Sequence, residues 1–372
     1  MMTTVQNKRL RKSTLRDVAR LARVDPSVVS RVLNQDPRLS VRAATRTRIL
    51  DAARGLDYQP NGLARGLRLQ RTKTLAMLIP DITNPIYATI IRGAEQATLA
   101  YGYNLFICNT GDVTEREIDA IRSVAEKRVD GVLIATARHE DDLTTTLKTL
   151  NLPCVLVNRR TQDAAFSVTT DDATGAQLGV EYLIALGHRR IAHITGALRT
   201  DTAQRRLEGY RRALHTTSQN EEMVVEGGFR YNSGFAAMQR LLCSDPHPTA
   251  VFVANIVAAL GALRAVKGAG LAVPADISIV GFHEILAAEQ VGPTITTVRM
   301  PLEAMGRQAA DLLIGVLTGH APPTRHIVLQ GAELLVGEST AALPVPEPQV
   351  AHAQLDGGGG RDRRDARDNN YD

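Results

Sequence analysis

Apolar positions follow two different rhythms along this chain, and the change falls near residue 73. Before it, helical spacing dominates. Leu15, Val18, Ala19 and Ala22 form one stripe, which Ser13 or Thr14 can cap. Asp25 followed by Pro26 is a restart signal, an N-cap and then proline at the first helical position. It predicts a second helix over Pro26–Leu33, with Val29, Val32 and Leu33 inward and Ser27, Val28, Ser30, Arg31 and Asn34 outward. A third helix follows Ser40, carries Thr45, Ile49, Leu50, Ala53 and Leu56, and ends near Tyr58. Two short helices joined by a tight turn, with small hydrogen-bonding side chains on the second, suit entry into a DNA major groove.

After residue 73 the runs TLAMLIP, NLFICN, GVLIA, CVLVN, RIAHITG, AVFVAN and ISIVGF alternate with amphipathic stretches. Short, partly β-branched runs separated by helices predict βαβ units and a parallel sheet. The length implies two such lobes. The expected fold is therefore an all-α helix-turn-helix head on a two-lobed α/β core. Five segments follow: a basic arm (1–12), the head (13–60), a hinge (61–72), the core (73–341) and a tail (342–372). The tail is Pro-rich, then Gly-rich, then charged, and is expected to be disordered.

The hinge NGLARGLRLQR, Asn61 to Arg71, has leucines and arginines at helical spacing but is interrupted by Gly62 and Gly66. Each interior glycine costs roughly 1 kcal/mol against alanine, so this helix is marginal alone.

Charge separates the same segments. The first 73 residues hold 14 Arg and 3 Lys against 5 Asp and no Glu, a net of +12. The whole chain carries +5, so the remaining 299 residues carry −7. A basic head on an acidic core points to a nucleic-acid module joined to something else. No run is long and apolar enough for a membrane span, and no apolar stretch follows the charged N-terminus as a secretion signal would require. A cytoplasmic protein is expected. Cys108, Cys154 and Cys243 lack CxxC spacing and read as buried free thiols. No phosphate loop, HExxH or GxSxG motif occurs, and the nine histidines show no metal-ligand spacing. Neither an enzyme, a cofactor nor a metal is indicated.

TLRDVARLARVDPSVVSRVLN, followed by YQPNGLARGL, resembles the helix-turn-helix and hinge of the LacI/GalR family of transcription regulators. LIPDITNPIY, RVDGVLIA, LGHRRIAHITG, RLEGYRRAL, VPADISIVGF and TTVRMPLEAMG extend the resemblance over about residues 13–341. It implies a periplasmic-binding-protein-like core whose chain crosses between lobes three times, with the effector in the interlobe cleft. It implies a homodimer on palindromic double-stranded operator DNA, and the absence of leucine heptads in the tail favours a dimer over a tetramer.

Residue by residue, Pro26 and Ser27 match the pair that chooses operator bases, and Arg31 matches the recognition-helix arginine. Ser30 and Asn34 match backbone-contacting positions. Thr14, Leu15, Val28, Arg38, Tyr58 and Asn61 complete the expected head contacts. In the hinge, Leu67 matches a leucine that wedges between base pairs in the minor groove. Ala64 leaves room for paired helices, and Arg65, Arg68 and Arg71 would line phosphates. Effector contacts are expected from Asn84, Ile86, Tyr87, Asn158, Arg159, Thr202, Arg206, Phe229, Asn255, His283 and Glu284, with Arg206 as the gripping arginine.

The chain departs from the family in places. Arg23 stands where the turn glycine is usual, so it must adopt a left-handed conformation or reshape the turn. The segment SVRAAT, before the third helix, is two residues longer than the commonest form. Asn158 and His283 replace usual aspartates, and Asn255-Ile256 replaces Asn-Asp. These losses of acceptors leave Arg206 facing fewer anions and favour an anionic effector such as a sugar acid. The alternative is a small-molecule sensor whose basic N-terminus does not read a specific DNA site.

Overall fold

Thr14 starts the first helix, α1 (Leu15–Ala22), through a capping box. Its side chain accepts from Asp17 N–H, while the Asp17 carboxylate accepts from Thr14 N–H and Oγ1–H. Asp25 Oδ1 accepts from Ser27 N–H at 2.7 Å and starts α2 (Pro26–Leu33), with the bounds that the Asp-Pro signal predicts. Between them Arg23 takes the left-handed option, at φ 52° and ψ 50°. The third helix, α3 (Ala43–Gly55), begins three residues beyond Ser40. Val18, Ala22, Val29, Val32, Ile49, Ala52 and Ala53 close the head's own core.

In the computed structural model the residues described are 13–34, 36, 38–58, 71–126, 129–137, 146–147, 149–161, 166–216, 221–285, 292–320 and 322–343. The arm, hinge residues 61–70 with Asn61, Ala64, Arg65, Leu67 and Arg68, and residues 344–372 of the tail lie outside them. Leu343 still donates its N–H to Leu186 O, so the chain stays attached to the second lobe past residue 341, where the tail was expected to begin.

Two six-stranded sheets build the core. The first is formed by β1 (Thr74–Ile79), β2 (Asn104–Asn109), β3 (Gly131–Ile134), β4 (Cys154–Val157), β5 (Ser167–Thr170) and β11 (His326–Leu329), in the order β11-β5-β4-β3-β1-β2. The second contains β6 (Ile191–Thr195), β7 (Met223–Glu226), β8 (Ala250–Val253), β9 (Ser278–Phe282), β10 (Thr296–Arg299) and β12 (Glu333–Leu335), in the order β12-β10-β9-β8-β6-β7. The two orders superpose position by position, as duplicated lobes should. All seven predicted apolar runs are strands. Within the described residues, every pairing is parallel except β10 with β12. Three changes of sheet, after β5, before β11 and before β12, match the expected three crossings.

Helices α4 (Ile86–Ala100), α5 (Thr114–Glu126) and α10 (Leu302–Thr318) cover the first sheet. Helices α6 (Asp172–Ala185), α7 (Asp201–His215), α8 (Tyr231–Leu242) and α9 (Ile256–Gly268) belong to the second. β3, β5, β6, β8 and β9 are buried along their whole length, which is why they read as continuous apolar or Thr-rich runs rather than alternating ones. Helix contact is closest where glycine removes a side chain: a Cβ on Gly209 of α7 would lie 2.1 Å from Ala173 O on α6.

The thiols depart from expectation. Cys108 and Cys154 are half-buried and Cys243 is exposed, because it caps the exposed end of α8 rather than entering the sheet core. Arg71 also departs, donating from Nη2 to Leu317 O at 3.0 Å near the C-terminus of α10, where partial negative charge collects. It anchors the hinge to the first lobe instead of standing free for phosphate. Asp130 completes that anchor, accepting from Thr72 N–H and Oγ1–H and from Lys73 N–H.

Candidate functional site

In the head, the second helix presents Ser27, Arg31 and Asn34 at its accessible face, while Val29 and Val32 hold it to the core. Ser27 is exposed and Arg31 half-exposed. Asn34 donates back to Ser30 O at 2.6 Å, which ends the helix and occupies one of its amide protons. Leu15, Val28 and Tyr58 are partly buried against the head core, and Thr14 is engaged in its cap. For Val28 this corrects the outward placement. Its β-branched side chain follows Asp25-Pro26-Ser27 on the first turn, where one flank still meets the core. Pro26 remains partly exposed at the start of the helix.

The core's cleft opens between the C-terminal ends of the two sheets, where open α/β sheets hold ligands. A cavity of about 390 Å³ lies there, with Asp81, Asn84, Tyr87, Asp112 and Arg159 from the first lobe. Arg199, Glu226, Phe229 and Arg230 face them from the second. Four expected effector residues thus meet around one space: Asn84, Tyr87, Arg159 and Phe229. The Phe229 ring sits directly over Gly196, where any Cβ would come within 2.2 Å of it. Ion pairs cross the mouth, Arg199 to Asp112 at 2.6 Å and Arg230 to Asp81 at 3.4 Å. All four side chains are partly exposed, so the pairs hold the lobes together only weakly.

Behind the cavity wall lies a charged cluster that the sequence reading did not contain. Asp172 is fully buried at the first turn of α6. Its Oδ2 accepts from Arg206 Nε at 3.2 Å and lies 3.1 Å from Arg206 Nη2 and 3.5 Å from Arg205 Nη1. Thr170 Oγ1 donates to its other oxygen at 2.6 Å. Burial pushes the carboxyl up, but the two guanidinium groups more than offset this and hold it below its ordinary value. Arg206 also donates to Ala254 O at 2.6 Å, and its guanidinium stacks 4.2 Å from the Phe282 ring centre. The expectation that Arg206 faces few anions is therefore corrected: its counter-charge comes from the interlobe crossover rather than from the β9 loop. Arg205 donates to Thr170 O at 2.6 Å and Asn158 O at 2.9 Å, tying the second lobe's helix to the strand ends of the first.

Asn158 and His283 occupy equivalent places in the two sheets. Each follows its strand with a left-handed backbone, φ 67° and 68°, which Asn and His tolerate better than most residues. Each donates its N–H to the neighbouring strand, to Val168 O and Val298 O. His283 Nε2 lies 2.9 Å from Arg206 Nη2. Arginine can only donate, so Nε2 accepts and the proton sits on Nδ1. Burial, reinforced by the Arg206 charge, pushes His283 down to about 3, so the imidazole is neutral and does not donate from both nitrogens. Among the described residues, three buried polar atoms at this site lack a protein partner: His283 Nδ1, Asn158 Oδ1 and Arg159 Nε.

Other expected contacts are set back from the cavity. Asn255 is used up locally, with Oδ1 capping α9 through Ala258 N–H and Nδ2 donating to Phe229 O. Thr202 and Ile86 are buried. Glu284 turns to Arg299 at 2.5 Å and lines a separate cavity of about 330 Å³ with Ile256 and Ile285. The left-handed turn at His283, directly after β9, redirects the chain before Glu284.

Two buried histidines make stability fall in acid. Burial brings His193 down to about 4, as it brings His283 to about 3, from an ordinary 6.5. Both remain neutral in the fold, whereas the unfolded chain takes up protons below 6.5. The stabilisation is therefore complete above that pH and is lost as pH falls toward 4 and then 3. At pH 5 each histidine should cost about 2 kcal/mol. His193 stacks between Tyr210 and Phe252, away from the cleft, so His193→Phe gives a clean test. Urea unfolding at pH 7 and pH 5 should show the pH-dependent loss shrinking by about 2 kcal/mol, and an unchanged loss would refute the assignment.

A ligand cleft tied through an anchored hinge to a helix-turn-helix head defines a ligand-responsive DNA-binding regulator. Comparison with known proteins agrees. Residues 14–61 match the model for bacterial regulatory proteins of the lacI family, and residues 72–332 match that for periplasmic binding proteins and the sugar binding domain of the LacI family. The ribose operon repressor of Escherichia coli (strain K12) is 37% identical over 310 residues, covering 82% of this chain and 93% of that protein. The repressor PurR of Vibrio atlanticus (strain LGP32) is 34% identical over 306 residues, covering 81% and 91%. Among solved structures, the lac repressor dimer bound to operator and the anti-inducer ONPF has a TM-score of 0.80 at 28% identity, covering 89% of this chain and 100% of that one. The regulator CelR in complex with cellobiose has a TM-score of 0.67 at 34% identity, covering 88% and 99%. The chain belongs to the LacI family and is a DNA-binding transcriptional repressor with an effector-binding domain. No helix among the described residues is long and apolar enough to cross a membrane.

Proposed function

We propose that this repressor responds to a sugar-sized effector carrying an anionic group, and that Arg159 rather than Arg206 receives the charge. The observation that carries this reading is the state of Arg159. It is buried, lines the cavity, donates from Nη1 to Thr136 O, and among the described residues has no other hydrogen-bond acceptor and no carboxylate partner. A desolvated guanidinium with an unused N–H suits a carboxylate or phosphate. The Nδ1–H of His283 is a second unused donor, and Asn158 Oδ1 supplies an acceptor for a hydroxyl. Ribose and cellobiose in the relatives' names support the sugar scale, and they equally favour a second reading in which the effector is a neutral sugar.

Calorimetric titration with ribose, cellobiose and the corresponding sugar acids separates the two. The acid should bind roughly tenfold to a hundredfold tighter than the neutral sugar, the worth of a hydrogen bond to a charged group. Arg159→Gln should abolish that preference. Tight binding of a neutral sugar with no gain from the acid would overturn the anionic reading.

In the cytoplasm, a homodimer would place two heads on a palindromic operator. The paired hinges would fold in the minor groove there, with Leu67 as the wedge. Operator and effector each favour one lobe arrangement, so each changes the other's affinity by the same factor. The crossovers at Asp172 and Arg205 and the anchor at Asp130 are the contacts through which lobe rotation would reach the hinge.

A further inference from the structure

The segment after the recognition helix carries an acidic residue on the head's basic surface. Asp36 is tied to Arg31 twice. Its own N–H donates to Arg31 O at 3.0 Å, and its Oδ2 accepts from Arg31 Nε at 3.0 Å. Its other oxygen accepts from Arg38 N–H at 2.9 Å, with Arg38 Nε at 3.4 Å. Asp36 is mostly covered, whereas Arg31 is 42% and Arg38 86% exposed. A carboxylate beside DNA repels phosphate, so it weakens binding to any sequence. Its presence among arginines is better explained by orientation than by affinity.

We propose that Asp36 is a positioning residue for DNA reading, fixing Arg31 by its Nε so that the opposite Nη1–Nη2 edge is presented to a guanine. The proposal rests on the reading of Arg31 as a base-contacting residue. A free arginine on a helix surface samples many rotamers and can turn to a phosphate or to a base. With Nε occupied, two parallel N–H donors remain on the terminal edge. Their spacing matches guanine N7 and O6 in the major groove. Ordering before contact lowers the entropy lost on binding the correct base. The same carboxylate discourages Arg31 and Arg38 from settling on neighbouring phosphates. Asp36 thus exchanges general DNA affinity for discrimination, without itself touching a base.

The two effects have opposite signs, and this makes the proposal testable with the full-length chain. Sites would be selected from randomised duplexes for the unaltered protein. Affinities for the selected site, for the same site with its guanines replaced one at a time, and for random duplex would then be measured with Arg31→Ala, Asp36→Asn and Asp36→Glu. Arg31→Ala should erase preference for one guanine in each half-site. Asp36→Asn should lower that same preference roughly tenfold, near the lower end of what a bidentate pair supplies. Its binding to random duplex should stay level or rise, and its salt dependence should steepen. Asp36→Glu, which keeps the charge, should recover part of the preference. If Asp36→Asn retains the full preference, or loses selected and random DNA alike, the positioning role is wrong. If Arg31→Ala itself retains every preference, the reading of Arg31 fails first.

Discussion

Replacing Asp172 with asparagine should lower the stability of the core by about 3–5 kcal/mol, because the fully buried Arg206 guanidinium would lose its carboxylate partner, while Arg205 keeps Asp201 at 2.9 Å. Asparagine keeps the shape and could still accept from Thr170, so the loss isolates the charge. Urea or calorimetric unfolding of the core would measure it. Effector binding should fail as well, since Arg206 holds His283 and Ala254 O in place from the same cluster. A variant with an unaltered core transition would show that Arg206 does not depend on the Asp172 charge.

The second large effect concerns Gly209. A Cβ there would stand 2.1 Å from Ala173 O and 2.8 Å from Ala176 Cβ, and backbone cannot move aside as a side chain would. Gly209→Val should therefore cost about 3 kcal/mol or more, at or beyond the usual range for overpacking. The displacement would separate α7 from α6, and with them Arg205 and Arg206 from Asp172. Effector titration and thermal unfolding should thus report the defect together. Gly55, with open space around it, is the control: Gly55→Ala meets nothing within 4 Å.

These two positions also show what could be read from the chain alone. The head was legible because its signals are local: a capping residue, an Asp-Pro restart and a helical stripe. Seven strands were legible because their runs are largely apolar; burial accounts for this in β1, β3, β4, β6, β8 and β9, whereas β2 at the sheet edge is mostly exposed. The strands β5, β7, β10, β11 and β12 were not. SVTT and TTVR are Thr-rich, MVVE and HIVL carry polar ends, and ELL is too short, so their pairing depends on neighbours distant in sequence. Arg206 was singled out by its motif, but its buried environment was not legible, because Asp172 lies 34 residues earlier. The doubled aspartate in TTDDATG looks like ordinary helix capping. Asp171 does that work, accepting from Thr174 N–H, and this leaves Asp172 free to turn inward. The signal was available in the adjacent pair Arg205-Arg206 on a buried helix, which demands a carboxylate from somewhere. Glu284 shows the opposite error, since its motif suggested the cleft while the left-handed turn at His283 sent it to Arg299.

An anionic group received by Arg159 should switch operator binding. Fluorescence anisotropy on a selected operator, with the intact chain and with Arg159→Gln, tests it most directly. Adding the sugar acid should change operator affinity at least roughly tenfold in the unaltered protein, within the usual span of allosteric coupling. In Arg159→Gln that response should vanish while operator affinity without effector is preserved. An equal response in both proteins, or a response to neutral sugar alone, would contradict the claim.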